Sequence, residues 1–299
     1  MSAIADTGIV AIPEVAAARR PTGQLIRNAL GLWRTRIGLM LVGVLVAIAV
    51  FGRYFAPHSP TAFVGQPNTQ PANLLFGTDH LGQDVWSRFL WGGAQLLVVA
   101  TIATIIGLVL GTLVGLVSAY SRNALDDVLM RAMDVILAFP QIMLALVAIA
   151  TVGPQTWLII LTVGLTTMPR VARVARGAAQ PIVERDFVAA AEALGVPRFR
   201  ILVGEVMPNT LSPLLVEMNL RLTYSIGLIA GLAFLGFAPN QNGADWGFMI
   251  QENRLALVSQ PWGVVLPVVA IALLTIGTGL VGDGIARAAV GIDRSRGDE

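Results

Sequence analysis

Cysteine and lysine are both missing from this 299-residue chain. Without cysteine there is no disulfide framework, no thiolate nucleophile and no cysteine-based metal site, and the redox compartment leaves no trace. Without lysine there is no Walker A lysine, no Schiff-base lysine and no kinase lysine, so all 20 basic side chains are arginines. If ATP drives this protein, another chain hydrolyses it. Histidine is limited to His58 and His80, which show no metal-ligand spacing, so no metal site is expected. Charge is scarce too: 13% of residues are charged, against about a quarter in soluble domains. What is abundant is apolar surface, with 55% hydrophobic residues and a mean hydropathy of +0.73. This is the composition of an integral membrane protein.

An α-helix needs about 20 apolar residues to cross about 30 Å of hydrocarbon. Six runs meet that length: residues 37–55, 95–118, 128–152, 154–174, 211–237 and 262–285. The fourth is the weakest, because Pro169 and Arg170 interrupt its end. The fold class predicted is all-α, a polytopic membrane protein of six transmembrane helices.

Arginine placement orients it. Arg19, Arg20, Arg27, Arg34 and Arg36 precede the first run, and Arg122 and Arg131 flank the loop after the second. Arg170, Arg173, Arg176, Arg185, Arg198 and Arg200 crowd the region after the fourth, and Arg287, Arg294 and Arg296 follow the last. The opposite side carries Arg53, Arg88 and Arg254. Both termini are therefore expected in the cytoplasm, and the first span reads as a retained signal anchor, since no convincing cleavage site follows it. The chain divides into a cytoplasmic segment 1–36, a first span 37–55, an exported loop 56–94, a five-helix core 95–285 with a cytoplasmic loop 175–210, and a cytoplasmic tail 286–299.

Inside that loop, residues 186–209 form a charged, helix-prone island. One helix is expected over 187–194, closed by Gly195 at a C-cap position; a second restarts at Pro197, runs to Val206 and stops at Pro208. Helical spacing places Phe187, Ala190, Ala191 and Leu194 on one face, where small alanines permit close approach of a partner. Phe199, Leu202 and Val206 form a second stripe, suited to anchoring on the protein's own helices. A helix lying on lipid would carry larger apolar residues than three successive alanines.

Four segments taken together resemble a known family. They are GTDHLGQDVWSR from Gly77, MRAMDVILAFP from Met130, the island through Asn209, and FLGF from Phe234. In order and spacing they are similar to the permease subunits of ABC importers for dipeptides, oligopeptides and nickel, in particular the second, shorter permease. The resemblance implies that the island is an EAA loop whose short helix docks on an ATP-binding subunit, with Phe187, Ala190, Ala191, Glu192, Leu194, Gly195 and Arg198 at the docking site. It implies a second permease subunit, two ATP-binding subunits or domains and an extracellular substrate-binding protein as partners, in a bacterial cytoplasmic membrane. ATP and magnesium would be bound by those partners; no catalytic residue, cofactor or nucleic acid belongs to this chain. Where the family opens its triplet with glutamate this chain has Ala189, so no salt bridge from that position exists; Glu192, one turn along, offers a displaced carboxylate.

The remaining candidates have two readings each. Gly77, Thr78, Asp79, Gly82 and Asp84 are either helix-start structure, with Val85, Trp86 and Phe89 along the membrane interface, or the mouth of the pathway beneath the binding protein. Asp134, near Arg131, is read as a local cap or a partner for the island, in a motif ending at Pro140; with Pro208 these are coupling or structural positions. Glu217 and Arg221, four residues apart, either neutralise each other or line the pathway. Gly107, Gly111 and Gly115, like Gly227 and Gly231, are spaced for tight helix packing in lipid. A different class, a secondary transporter or channel driven by an ion gradient, would need inverted repeats and midplane ionisable groups.

Overall fold

The computed structural model describes residues 22–121, 123–238 and 243–290; Arg19, Arg20, Arg122, Arg294, Arg296 and most of the expected tails lie outside them. The described chain is helical: α1 Thr22–Gly31, α2 Trp33–Phe55, α3 Val85–Ser121, α4 Ala124–Leu137, α5 Gln141–Val152, α6 Thr156–Val183, α7 Asp186–Ala193, α8 Arg198–Ile201, α9 Met207–Phe234, α10 Trp246–Asn253 and α11 Trp262–Val290. Among the described residues β-structure is limited to two isolated bridges, both in the loop between α2 and α3.

Four helices, α2, α3, α6 and α11, are long and apolar enough to cross a membrane, and α4 with α5 makes five if counted as one broken span. The fifth apolar run lies in α9, about 42 Å long at 1.5 Å per residue. Glu217, Asn219 and Arg221 keep α9 below the apolarity of the others, so length alone speaks for it.

Proline explains three departures from expectation. The run 128–152 is not one helix: α4 ends at Leu137, Pro140 stands at the N-cap of α5, and the axis bends by 77°. Proline lacks an N–H and keeps the preceding residue out of the α region, so Phe139 cannot continue α4. By contrast α6 runs through Pro169 and Pro181 to Val183. Pro169 leaves the Leu165 carbonyl without its intrahelical donor, and α6 continues because Thr166 to Pro169 are buried in the bundle, where membrane helices tolerate proline. Pro208 does not stop the island's second helix. A π-helical turn, Leu202–Val206, joins α8 directly to α9, and Pro208 follows that wider turn at the start of α9.

The core is built on α3 and α6, which run side by side in the same direction. Cβ atoms added at Gly107 and Gly111 would lie 2.8 Å and 2.6 Å from the Gly164 and Met168 carbonyl oxygens, and one at Gly115 would fall on the Ala172 carbonyl. Each step is four residues on both helices, so the glycines form a groove into which the α6 backbone sinks. Among the described residues, a Cβ at Gly227 or Gly231 would meet nothing within 4 Å. Around the pair, Val99, Ala100, Ile159, Val163, Ile226, Ile229, Ala270 and Leu274 close the central cluster.

Candidate functional site

At the C-terminal end of α3 a second cluster gathers Leu116, Ala119, Ala179, Val183, Val188, Ile201 and Val206. This is the seat of α7. Val188 is 1% exposed, and Phe187 and Ala191 pack against the same cluster. The face expected to meet a partner is therefore divided: Phe187 and Ala191 serve as foundation, while Ala189, Ala190, Ala193 and Leu194, the last 83% exposed, point outward. Gly195 takes φ +72° and closes α7 as expected, with its N–H on the Glu192 carbonyl and the Val196 N–H on the Ala191 carbonyl, 2.9 Å and 3.1 Å. Of the second stripe, Val206 is buried and Leu202 partly so, but Phe199 is 75% exposed and anchors nothing.

Glu192 is exposed, with its carboxylate reaching back to the bundle. It accepts a hydrogen bond from the Tyr120 hydroxyl at the end of α3, and the Arg198 guanidinium lies 6.0 Å over the Tyr120 ring. Nothing in the sequence pattern singled out Tyr120. Beside it, Arg176 of α6 grips Asp126 of α4 with two hydrogen bonds, 2.7 Å and 2.6 Å, and Ser118 of α3 donates to the same carboxylate. The joint thus ties α3, α4, α6 and α7 together. Asp134 neither caps a helix nor reaches the island; its exposed carboxylate pairs with Arg173 of α6.

On the opposite end, the Gly77 to Arg88 motif is a knot. Gly77 and Gly82 take φ +72° and +78° against backbone of the Gly65 to Gln70 region, a conformation that favours glycine. Thr78 bonds to Gln66 and Thr69. Asp79 does not start a helix: one carboxylate oxygen accepts from the Leu81 and Gln83 N–H groups, and the other from buried Arg88. Asp84 does cap α3, accepting from the Trp86 and Ser87 N–H groups. Arg88 reaches on to Glu252 of α10 at 2.8 Å, and the Asn253 side chain accepts from the His80 N–H. Val85 and Phe89 are buried rather than interfacial. Trp86 lies between Phe76, which is tilted against it, and Phe89, which stacks on it and in turn on Trp246, with centroids 5.3 to 5.6 Å apart.

Glu217 and Arg221 are both buried and face each other at 2.8 Å, a charge contact lacking the alignment of a hydrogen bond. The Arg221 guanidinium also lies 5.1 Å over the ring of Tyr224, which is exposed. No group of three or more His, Asp or Glu side chains able to hold a metal occurs among the described residues.

Residues 107–290 match the family described as binding-protein-dependent transport system inner membrane component. The chain belongs to that family. A protein of Brucella suis biovar 1 named as a peptide transport system permease is 34% identical over 252 residues, 84% of this chain and 85% of its own. A dipeptide transport system permease protein of Alkalihalophilus pseudofirmus is 30% identical over 270 residues, 88% and 86% of the two chains. A glutathione transport system permease protein of Shigella dysenteriae serotype 1 is 33% identical over 249 residues, 82% of each. The matched region takes in the joint around α7 and the whole of α9 and α11, while the Gly77 to Arg88 knot lies before it, apart from its partners on α10.

The end of the permease that carries α10 has a pH dependence of its own. Asp245 is the N-cap of α10, its side chain accepting from the Gly247 and Phe248 N–H groups at 2.9 Å and 3.1 Å. Burial pushes its carboxyl up to about 6, against those two donors. The folded form holds the proton more tightly than the unfolded form, so stability is lost as pH rises from about 4 to about 6. Asp245→Asn keeps the acceptor and removes the charge. It is expected to melt at or above wild type at pH 7.5 and to lose the wild-type gain on acidification to pH 5. Asp245→Ala should cost about 1 kcal/mol at both values. Thermal unfolding in detergent, followed at α10 by limited proteolysis, reads both.

Proposed function

We propose that this permease forms half of a translocation pathway for peptides and couples ATP hydrolysis by partner chains to inward transport. The observation that carries the reading is α7: an eight-residue helix seated on the bundle by Val188, with its alanine face and Leu194 turned to solvent. A helix anchored on one side and small-sided on the other suits a groove on a soluble partner. Two ATP-binding subunits or domains, carrying ATP and magnesium, would dock there and on a second permease, with Ala190, Leu194, Gly195 and Arg198 at the contact and Phe187 and Ala191 beneath it. An external substrate-binding protein would deliver cargo to the exported side. The names of the relatives favour peptides as that cargo.

In this reading α9 is the sixth crossing, and the arginine distribution puts both termini and α7 in the cytoplasm of a bacterial inner membrane. Closure of the ATP-binding pair would move α7; α7 would move α9 through α8 and the π-helical turn, and the broken α4–α5 span would adjust at Pro140. Glu217 with Arg221, next to exposed Tyr224, would lie along the pathway wall.

Affinity purification from solubilised membranes tests the docking. The wild-type chain should bring down an ATPase, and Ala190→Trp with Leu194→Arg should lower its recovery at least about tenfold, the cost of a lost interface anchor, while melting stays at the wild-type value. Equal recovery of ATPase with the variant would refute docking at α7.

A further inference from the structure

Two routes lead from α7 into the membrane helices. The first is covalent, through α8 and the π-helical turn into α9. The second crosses space to α3, and there a single polar contact stands out. Tyr120 lies beyond Leu116 and Ala119, at the end of the face that buries Gly107, Gly111 and Gly115 against α6, so whatever holds Tyr120 holds the tightly packed α3–α6 pair. Its hydroxyl donates to Glu192, whose backbone carbonyl in turn receives the Gly195 N–H that closes α7. Apolar seating by Val188 resists lifting of α7, but small side chains such as Ala191 offer little resistance to sliding. A directional bond to a carboxylate supplies that resistance, and such bonds are stronger than neutral ones.

We propose that the Tyr120 hydroxyl and the Glu192 carboxylate form a latch that makes α7 move as one body with the cytoplasmic end of α3. Glu192 is then a positioning residue inside the permease and not a contact to the ATPase. The proposal rests on the docking of an ATP-binding partner at α7. Arg198 over the ring keeps the phenol in place from the α8 side. With the latch closed, a push on α7 reaches α3–α6 and α9 together; with it open, α9 receives the push and α3 lags.

The test uses the assembled transporter in proteoliposomes, comparing wild type with Tyr120→Phe, Glu192→Ala, Glu192→Gln and the Tyr120→Phe/Glu192→Ala pair. Tyr120→Phe keeps the ring under Arg198 and removes the hydroxyl; Glu192→Gln keeps an oxygen that accepts from it. Tyr120→Phe and Glu192→Ala should retain ATPase at wild-type stoichiometry and continue to hydrolyse ATP, while peptide taken up per ATP falls about tenfold, as for loss of one hydrogen bond to a charged group. The double variant should be no worse than either single one, since both remove the same bond. Glu192→Gln should stay within about twofold of wild type, its neutral acceptor being the weaker one. Unchanged uptake per ATP in Tyr120→Phe overturns the latch, as does loss of ATPase in Glu192→Ala but not in Tyr120→Phe, which would place Glu192 on the partner. A second readout needs no bound ATPase. Because the permease lacks cysteine, nitroxides at Ala193→Cys and Ala124→Cys report α7 against the α3–α4 corner. The distance distribution should be narrow in wild type and Glu192→Gln and broad in Tyr120→Phe; equal widths overturn the latch even if docking at α7 also fails.

Discussion

Replacement of Arg88 by alanine is expected to cost about 3–5 kcal/mol, the range for removing one partner of a buried ion pair, and to leave little folded permease in the membrane. Arg88 is 3% exposed and lies between Asp79, which is fully buried, and Glu252. Burial already raises the Glu252 carboxyl above its ordinary value, opposed by Arg88 and His80. Without the guanidinium two carboxylates share a dry site, and one must take a proton or admit water. The damage should spread, because Asp79 also orders the turn that feeds α3, and Glu252 belongs to α10, far away in sequence. Yield and melting temperature in detergent measure the loss. Arg88→Met combined with Asp79→Asn and Glu252→Gln removes all three charges and should recover most of it, since a neutralised site no longer strands a charge. A triple variant as unstable as Arg88→Ala would show that the geometry of the bonds, and not the charge balance, sustains the cap.

That knot marks the boundary of what the sequence disclosed. The spans in α2, α3, α6 and α11 were legible, because a run of apolar residues long enough to cross hydrocarbon has little else it can do. Gly195 was legible as a helix stop because its role depends on local φ alone. Three prolines were not told apart: Pro140 breaks a span, Pro169 is absorbed and Pro208 begins a helix. The deciding factors are position in the turn and which neighbouring helices stand by, and these belong to the assembled bundle. The partners of Arg88 were equally hidden. Asp79 and Glu252 lie 9 and 164 residues from it, and no periodicity links them. In α7, eight residues give barely two turns, too few for spacing to separate a foundation from a docking face; Val188, whose burial settles the matter, looked like any valine. Tyr120 escaped notice because a lone tyrosine at the end of an apolar run usually marks the membrane interface.

The glycine groove of α3 carries the other large expected effect. Gly115→Val should abolish stable insertion of α6 beside α3. A Cβ at 115 would fall on the Ala172 carbonyl and lie 2.6 Å from the Ala175 Cβ, so the obstruction is backbone and a neighbouring stub rather than a side chain that can swing away. Overpacking usually costs about 1–3 kcal/mol when side chains can adjust; here two long helices would have to separate along their C-terminal halves, and the cost should exceed that range. Gly111→Val meets the Met168 carbonyl at 2.6 Å and the Val171 Cβ at 2.6 Å and should behave alike. Gly227→Ala is the control. A methyl there meets nothing within 4 Å among the described residues, so folding of the permease alone should change by no more than about 0.5 kcal/mol. Folded yield after membrane extraction, with the melting temperature of what survives, separates the two classes. If Gly115→Val folded like wild type, α3 and α6 would not be in backbone contact, and the rigid pair through which α7 is read to act on the membrane helices would be lost with it.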